Sequence, residues 1–318
     1  MSSRRMPVAS PRSGTPDRTS ILYRISVFWY RHGVAYLFLA PFIVLFSVFI
    51  ILPVGVAIGT SLTNYNMLQA PRWLGLANFK FLFMDDDVFL IALKNTFVFA
   101  FITGPLGYAM SFLVAWVINQ LKMRNAFALA FYAPSITSAV AMSVVWLIIF
   151  SGDRYGYINN FLINLGLIIE PINWNRDPAT ILPVIIVVSV WMSMGTGFLV
   201  FLAGLQNVPN EIYEAGDIDG VKSKFQQLWY LTLPLVKPQL LFGAINSIVG
   251  SFAVFDVSVS ISGMPSPGYA GHTIVTHLFD YAFIRFQMGY ASGVAVVLFV
   301  LTFVLGRVSF RLLSSRDL

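Results

Sequence analysis

The amino-acid sequence predicts an all-α polytopic membrane protein, with six transmembrane helices and a short cytoplasmic helix in the loop between the fourth and fifth. Of its 318 residues, 57% are hydrophobic and 11% are charged, and the mean hydropathy is +0.76. Soluble domains contain about 25% charged residues, so this composition is typical of a chain with many membrane spans. The chain has no cysteine, which excludes disulfides and thiolate metal sites.

Six stretches are long and apolar enough to cross a hydrocarbon core of about 30 Å, which requires about 20 helical residues. They are residues 35–60, 95–119, 126–150, 179–203, 239–262 and 289–312. The preceding residues 1–34 are rich in Ser, Pro and Arg, and we expect a flexible basic tail there, not a cleaved signal peptide. The six-span domain is then expected to fill residues 35–318.

Basic residues are distributed unevenly between the two sides of the predicted spans. Fourteen of the 20 Lys and Arg residues lie in the tail, around residues 122–124, in the loop 204–238 and after residue 306. The other six lie in the opposite loops, among seven of the 14 acids. Cytoplasmic loops are enriched in Lys and Arg, so both termini and the loop 204–238 are predicted to be cytoplasmic.

The long cytoplasmic loop has the signals of two short helices. A first helix is expected over residues 210–218, with Asn210 as its N-cap and the carboxylates of Glu211 and Glu214 in its first turn, near the positive end of the helix dipole. Asp219-Gly220 predicts a chain reversal, because glycine accepts a positive φ. A second helix is expected to follow through Phe225 and to end near Pro234.

The run Glu214-Ala215-Gly216-Asp217-Ile218-Asp219-Gly220-Val221 resembles the E-A-A-x-x-D-G-A signature of permease subunits of ATP-driven, binding-protein-dependent importers. Gly216 and Val221 stand where that signature usually has Ala. The resemblance implies that the first helix is a coupling helix that docks in a cleft of an ATPase subunit. The coupling residues implied are Glu214, Ala215, Gly216, Asp219, Gly220, Phe225 and Pro234. The alternative is a solvated loop with an ordinary helix cap.

Segments outside this loop resemble the carbohydrate branch of the same importers. The residues concerned are Trp73-Leu74-Gly75-Leu76-Ala77-Asn78-Phe79, Asn95-Thr96, Gly156, Asn159, Trp174, Asp177-Pro178 and Trp191. Their order along the chain matches that branch. Ser262-Gly263-Met264-Pro265 departs from it, because the branch commonly has T-x-G-G-P there.

The family resemblance has consequences for architecture, partners and location. It implies the type I importer fold, a bacterial cytoplasmic (inner) membrane location, and a function in the ATP-driven import of sugars or oligosaccharides. The implied partners are a homologous second permease subunit, two ATPase subunits and an extracytoplasmic sugar-binding protein. ATP and Mg would bind to the ATPase subunits, so no cofactor is expected on this chain.

The fifth predicted span contains a candidate substrate path. Asp256 is the one acid well inside an apolar span, and ionisable groups there usually face a cavity or a partner. Asn246, Gly250 and Ala253 form one stripe of small and polar residues on the same helix face. The candidate path residues are Ser189, Trp191, Ser193, Asn246, Gly250, Phe252 and Asp256. The alternatives are a packing stripe with a structural Asp256, or a role for Asp256 in an external gate.

Other functional classes have less support in the sequence. The three His residues lack metal-ligand spacing and no G-x-x-x-x-G-K-[ST] loop occurs, so neither metal binding, nor ATP binding, nor an enzyme site on this chain is expected. The charges do not form one face, which argues against nucleic acid. A permease for glycerol phosphate or a polyol is an alternative in the same family. A secondary transporter would show several intramembrane acids or broken helices in matching halves. A membrane scaffold would leave the coupling signature unexplained.

Overall fold

The computed structural model describes residues 21–314, which are almost entirely helical. The α-helices are α1 (Ile21–Phe46), α2 (Leu52–Ser61), α3 (Ala77–Met84), α4 (Asp87–Asn119), α5 (Arg124–Ile136), α6 (Ala139–Ile149), α7 (Tyr157–Asn164), α8 (Pro178–Ser193), α9 (Thr196–Gln206), α10 (Asn210–Ile218), α11 (Lys224–Gln226), α12 (Leu233–Leu235), α13 (Lys237–Phe252), α14 (Asp256–Ser262), α15 (Ile274–Phe279) and α16 (Met288–Ser314). π-Helical turns occur at Ser47–Ile51, Gln227–Thr232 and Asp280–Ile284, and a 3₁₀ turn at Pro267–Tyr269. Strands β1 (Thr63–Asn64) and β2 (Arg72–Trp73) form an antiparallel hairpin.

The chain divides into two compact units, residues 1–56 and 57–318. The described part of the first unit is helix α1, the π-helical turn after it and the start of α2. The first 20 residues of the predicted tail lie outside the described residues. The helix α1 begins at Ile21, within the segment predicted as tail, and its apolar part agrees with the predicted first span.

Five apolar helices of the described chain are long enough to cross a membrane. They are Gly33–Ser61, Asp87–Asn119, Pro178–Gln206, Lys237–Ser262 and Met288–Arg311, and they correspond to the predicted first, second, fourth, fifth and sixth spans. The predicted third span, residues 126–150, is instead divided into α5 and α6. The described residues therefore confirm five of the six predicted spans as long helices, and the count of six is not confirmed at the third.

The division between α5 and α6 has a local cause. Thr137 and Ser138 both have extended backbones, with ψ angles of 142° and 132°. The hydroxyl of Thr137 donates to the carbonyl of Ala133 at 3.2 Å, and that of Ser135 donates to the carbonyl of Tyr132 at 2.8 Å. Ser and Thr hydroxyls that bond to nearby carbonyls compete with helical hydrogen bonds and bend helices. The length and hydropathy of residues 126–150 were therefore not enough to predict an unbroken helix.

Helix α4 lies at the centre of the second unit and contacts α8, α9 and α13. Phe201 of α9 is 2% exposed, and its ring meets the rings of Tyr108 and Phe112 edge to face, with centroids 5.3 and 5.6 Å apart. Gly243 of α13 lies against this ring, and a Cβ atom there would be 2.6 Å from Cε1 of Phe201. Glycine is therefore what allows α13 to approach α9 this closely.

Gly243→Ala is expected to destabilise the protein by about 1–3 kcal/mol, because the added methyl group overlaps a buried ring that two other aromatic rings hold in place. Gly250→Ala is the matched control, since a Cβ atom there meets nothing within 4 Å. Thermal unfolding of both variants in detergent, followed by size-exclusion chromatography, tests this difference. Equal midpoints would contradict the packing described.

Candidate functional site

The loop between the predicted fourth and fifth spans forms two helices, as the sequence predicts. Helix α10 begins at Asn210 with Pro209 as its N-cap, so the prediction of Asn210 as N-cap is wrong. Glu211 lies in the first turn, but Glu214 lies one turn further along, outside the strongest part of the helix dipole. The predicted reversal is confirmed by Gly220, whose φ is +92°.

The second helical segment runs from Lys224 through a π-helical turn to Leu235, one residue beyond Pro234. A cap that the sequence analysis did not identify starts it. The hydroxyl of Ser223 accepts from the backbone N–H of Phe225, and Gln226 accepts from the backbone N–H of Ser223, both at 3.2 Å. This reciprocal pattern is a capping box, which fixes the start of a helix.

Side-chain contacts hold α10 against the second segment. The amide of Gln227 donates to the carboxylate of Asp217 at 2.8 Å, and the hydroxyls of Tyr213 and Thr232 are 3.0 Å apart. Gly216 is buried, and a Cβ atom there would be 2.6 Å from Cδ1 of Leu231. Gly216, one of the implied coupling residues, therefore packs against its own chain.

The opposite face of α10 is exposed and has no packing partner in the described chain. Glu214, Ala215 and Asp219 all lie there. Ile218 is 87% exposed and Phe225 is 65% exposed. We name these five residues the docking face. Sequence reasoning missed Ile218, although an isoleucine four residues after Glu214 in a polar helix could have indicated an apolar contact.

A cavity of about 400 Å³ lies among α4, α8, α9 and the two helices of the fifth span. Five of the predicted path residues line it, namely Ser189, Ser193, Asn246, Gly250 and Asp256. This volume lies within the range of small-molecule sites. We call this space the central cavity.

Two predicted path residues lie elsewhere. Phe252 is 4% exposed, stacks edge to face on Phe97 at 5.5 Å, and lines a second, apolar cavity beside α16. Trp191 meets Trp146 edge to face at 5.2 Å. Their side chains therefore pack between helices, while Tyr108 and Ser111, which the sequence analysis missed, line the central cavity.

The fifth span is broken where it reaches the central cavity. Helix α13 ends at Phe252 and α14 begins at Asp256. The carbonyl of Val254, freed by the break, accepts a hydrogen bond from the hydroxyl of Thr273 at 3.0 Å. The break leaves Asp256 exposed at the start of a short helix, facing the cavity.

A buried polar cluster joins the start of α4 to the segment between α14 and α16. Asp86 is the N-cap of α4 and accepts from the backbone N–H of Phe89 at 2.9 Å. Its other oxygen accepts from the hydroxyls of Tyr290 at 2.6 Å and Tyr281 at 3.2 Å, and lies 3.2 Å from Nε2 of His277. This cluster fixes where two distant parts of the chain meet.

Burial and the surrounding charges shift the ionisation of this cluster. Burial raises the pKa of Asp86, but hydrogen bonds from Tyr290 and Phe89 and the attraction of His277 leave it lower than usual. Burial lowers the pKa of His277 despite its contact with Asp86. Burial, together with repulsion by His277, lowers the pKa of His272 to about 4. Both histidines are therefore neutral at pH 7.

The amides of the carbohydrate-branch motifs make structural hydrogen bonds. Asn78 donates to the carbonyls of Ser61 and Thr63 at 2.8 and 2.9 Å. Asn95 donates to the carbonyls of Tyr269 and His272 at 2.9 and 3.0 Å. The motif residues therefore organise the segments that connect the spans.

Asn159 organises the segment between α6 and α8 in the same way. Its side chain donates to the carbonyls of Ser151, Asp153 and Ile172. Its oxygen accepts from the indole of Trp174 at 2.9 Å.

Apolar spans around a polar cavity, with a firmly held helix projecting from the loop between two spans, define a membrane subunit of a transport system. The profile of one family, described as the binding-protein-dependent transport system inner membrane component, matches residues 122–316. The chain belongs to this family of ABC transporter permeases, which confirms the resemblance found in the sequence.

Two relatives match most of the chain. The arabinooligosaccharides transport system permease protein AraP of Bacillus subtilis (strain 168) is 31% identical over 314 residues, covering 98% of this chain and 95% of that protein. The lactose transport system permease protein LacF of Rhizobium radiobacter is 34% identical over 281 residues, covering 86% of this chain and 92% of that protein.

A solved structure has the same fold. It is a chain of a bacterial ABC transporter involved in the import of the acidic polysaccharide alginate, with a TM-score of 0.77 and 22% identity. The match covers 93% of this chain and 100% of that chain.

Acid is expected to destabilise the protein, because the folded state keeps His272 neutral while the unfolded state protonates it. The folded pKa of about 4 lies below the ordinary 6.5, so stability is lost as the pH falls from about 6.5 to 4, by about 3 kcal/mol. His277 adds to this loss, and Asp280, Arg285 and Asp86 are the charges that face both rings.

Unfolding midpoints measured in detergent between pH 7.5 and 4.5 test this expectation. His272→Gln should flatten the pH dependence, because glutamine has no proton to gain. An equally steep dependence in this variant would assign the effect to other groups.

Proposed function

We propose that this chain is a permease subunit of an ATP-driven, binding-protein-dependent importer of sugars or oligosaccharides. It forms half of the translocation path and couples ATP hydrolysis by a cytoplasmic ATPase to transport. The docking face on α10 and α11 carries the proposal: α10 is held by its own chain and leaves a mixed acidic and apolar face without a partner in the described chain. Family membership supports it.

The orientation follows from the charge distribution. Lys and Arg are concentrated in the N-terminal tail, in the loop that carries the docking face and near the C-terminus, so these parts are cytoplasmic. Helices α5 and α6 together complete one crossing, which places both termini on the same side. The chain then lies in a bacterial inner membrane with the Asp86 cluster on the outer face.

Coupling depends on the partner chains. Glu214 and Asp219 supply carboxylates for a partner's N–H groups, while Ile218 and Phe225 supply apolar contacts. Two ATPase subunits bind ATP and Mg, and this chain is not itself catalytic. A homologous second permease supplies the other half of the path, and an extracytoplasmic binding protein delivers the sugar to the outward-facing state.

The central cavity supports a carbohydrate as substrate. Serine hydroxyls and the Asn246 amide can exchange hydrogen bonds with sugar hydroxyls, and Phe99 and Phe255 line the same space with apolar surface for ring faces. The printed names of AraP and LacF describe oligosaccharide and lactose transport systems, which supports the same class.

Glu214→Lys and Ile218→Asp are each expected to weaken association with the ATPase by at least about tenfold and so to uncouple the transporter. The first variant replaces a carboxylate of the contact with a positive charge, and the second puts a negative charge into an apolar contact. Co-purification of the ATPase subunits and sugar-stimulated ATP hydrolysis measure the effect. Glu170→Lys, the same reversal on an exposed residue of the opposite side, is the control. Unchanged hydrolysis in both docking-face variants would refute the coupling role.

Single cysteines at Lys222 and Arg154 are expected to respond oppositely to a membrane-impermeant thiol reagent. The chain has no cysteine of its own, and both positions are exposed. Intact cells should label position 154 and protect position 222, while permeabilised cells should label both. Labelling of 222 but not 154 in intact cells would reverse the proposed orientation.

A further inference from the structure

The charge of the central cavity limits which sugars it can hold. Among the described residues that line it, Asp256 is the one charged side chain, and Lys, Arg and His do not occur. Elsewhere in the described chain, the guanidinium of Arg285 pairs with the carboxylate of Asp280 at 2.8 Å. No cationic side chain among the described lining residues therefore offsets Asp256.

Neutral hydrogen-bonding groups make up the rest of the polar lining. They include the hydroxyls of Ser111, Ser189, Ser193 and Ser247 and the amide of Asn246. The hydroxyl oxygen of Ser189 is buried and has no hydrogen-bond partner in the described chain. The serine hydroxyls and the amide can each both donate and accept hydrogen bonds, as sugar hydroxyls do.

Anionic ligands are bound in proteins by guanidinium or ammonium groups, or by helix N-termini. The described lining of the cavity contains neither cation, and the first turn of α14 carries the acid Asp256 itself. An anionic group about 8 Å from this carboxylate, at an effective dielectric constant of about 20, would be disfavoured roughly thirtyfold.

We infer that the substrate passing through the central cavity is an uncharged sugar, and that Asp256 discriminates against uronates and sugar phosphates. This inference rests on the proposed function and specifies its substrate class. The Asp256 carboxylate accepts hydrogen bonds from sugar hydroxyls, which a neutral sugar donates freely. A glycerol phosphate or a uronate would bring a second negative charge beside it.

Binding to the complete complex, with both permeases and the ATPase subunits in nanodiscs, tests the inference without the selectivity of the binding protein. The probes are an uncharged oligosaccharide and the same oligosaccharide with a terminal uronate, and saturation-transfer NMR detects weak binding of each. The uronate is expected to bind at least about thirtyfold more weakly than the neutral sugar. Equal binding of the two probes would overturn the inference.

Two variants test whether the discrimination between neutral and anionic sugars arises in the central cavity. Asp256→Asn should bring the ratio of the two affinities to within about threefold, because it removes the charge and keeps an amide of similar size. Asn246→Arg, which adds a cation at a position exposed to the cavity, should favour the uronate even if Asp256→Asn fails to assemble. Glu170→Gln, a charge removed outside the cavity, should leave the ratio as it is. An unchanged ratio in the assembled Asp256→Asn variant would overturn the role of Asp256. An unchanged ratio in the assembled Asn246→Arg variant would show that the probes do not bind in the central cavity and would overturn the inference.

Failure of the proposed function gives a different result. A complete transporter that imports no carbohydrate with ATP would refute the proposed function, whatever the binding ratio. Import of both neutral and uronate probes at equal rates would keep the proposed function and refute the charge discrimination alone.

Discussion

Inside a bilayer, every backbone N–H and C=O group needs a partner from the protein itself, and this constraint decides where the spans can break. The fifth span breaks at Val254 because the hydroxyl of Thr273 satisfies its freed carbonyl. At the end of α5, hydroxyl groups of Ser135 and Thr137 bond to carbonyls of their own helix. Polar side chains thus allow the backbone of the fifth span to break beside the cavity.

Outside the spans, buried amides and one carboxylate hold the connecting segments. Asp86 accepts hydrogen bonds from tyrosines that lie about 200 residues further along the chain. Asn95 joins α4 to the loop before α15 by donating to two of its carbonyls. Asn159 does the same within its own segment. These groups are largely buried, and an unsatisfied buried polar atom is costly, so each network determines a single arrangement of the loops beside the cavity.

A continuous structural path joins the docking face to the central cavity. The second loop segment ends at Leu235, α13 begins two residues later at Lys237, and α13 carries both Asn246 and Gly250 into the cavity. The hydroxyl of Tyr108, from α4, donates to the carbonyl of Leu240 at 3.3 Å. Under the proposed function, a displacement of α10 on binding of an ATPase would be transmitted along α13 to one wall of the cavity.

The sequence by itself determined most of the spans, the two-helix loop with its reversal at Gly220, and the cavity stripe at Asn246 and Gly250, because each depends on local periodicity or on one residue's backbone preference. The tertiary structure alone decided that Gly216 faces its own chain and that Phe252 points away from the cavity. It also decided that Asp86 accepts hydrogen bonds from Tyr281 and Tyr290. These outcomes depend on contacts between residues far apart in the chain, and local hydropathy does not encode which neighbour a helix face will meet.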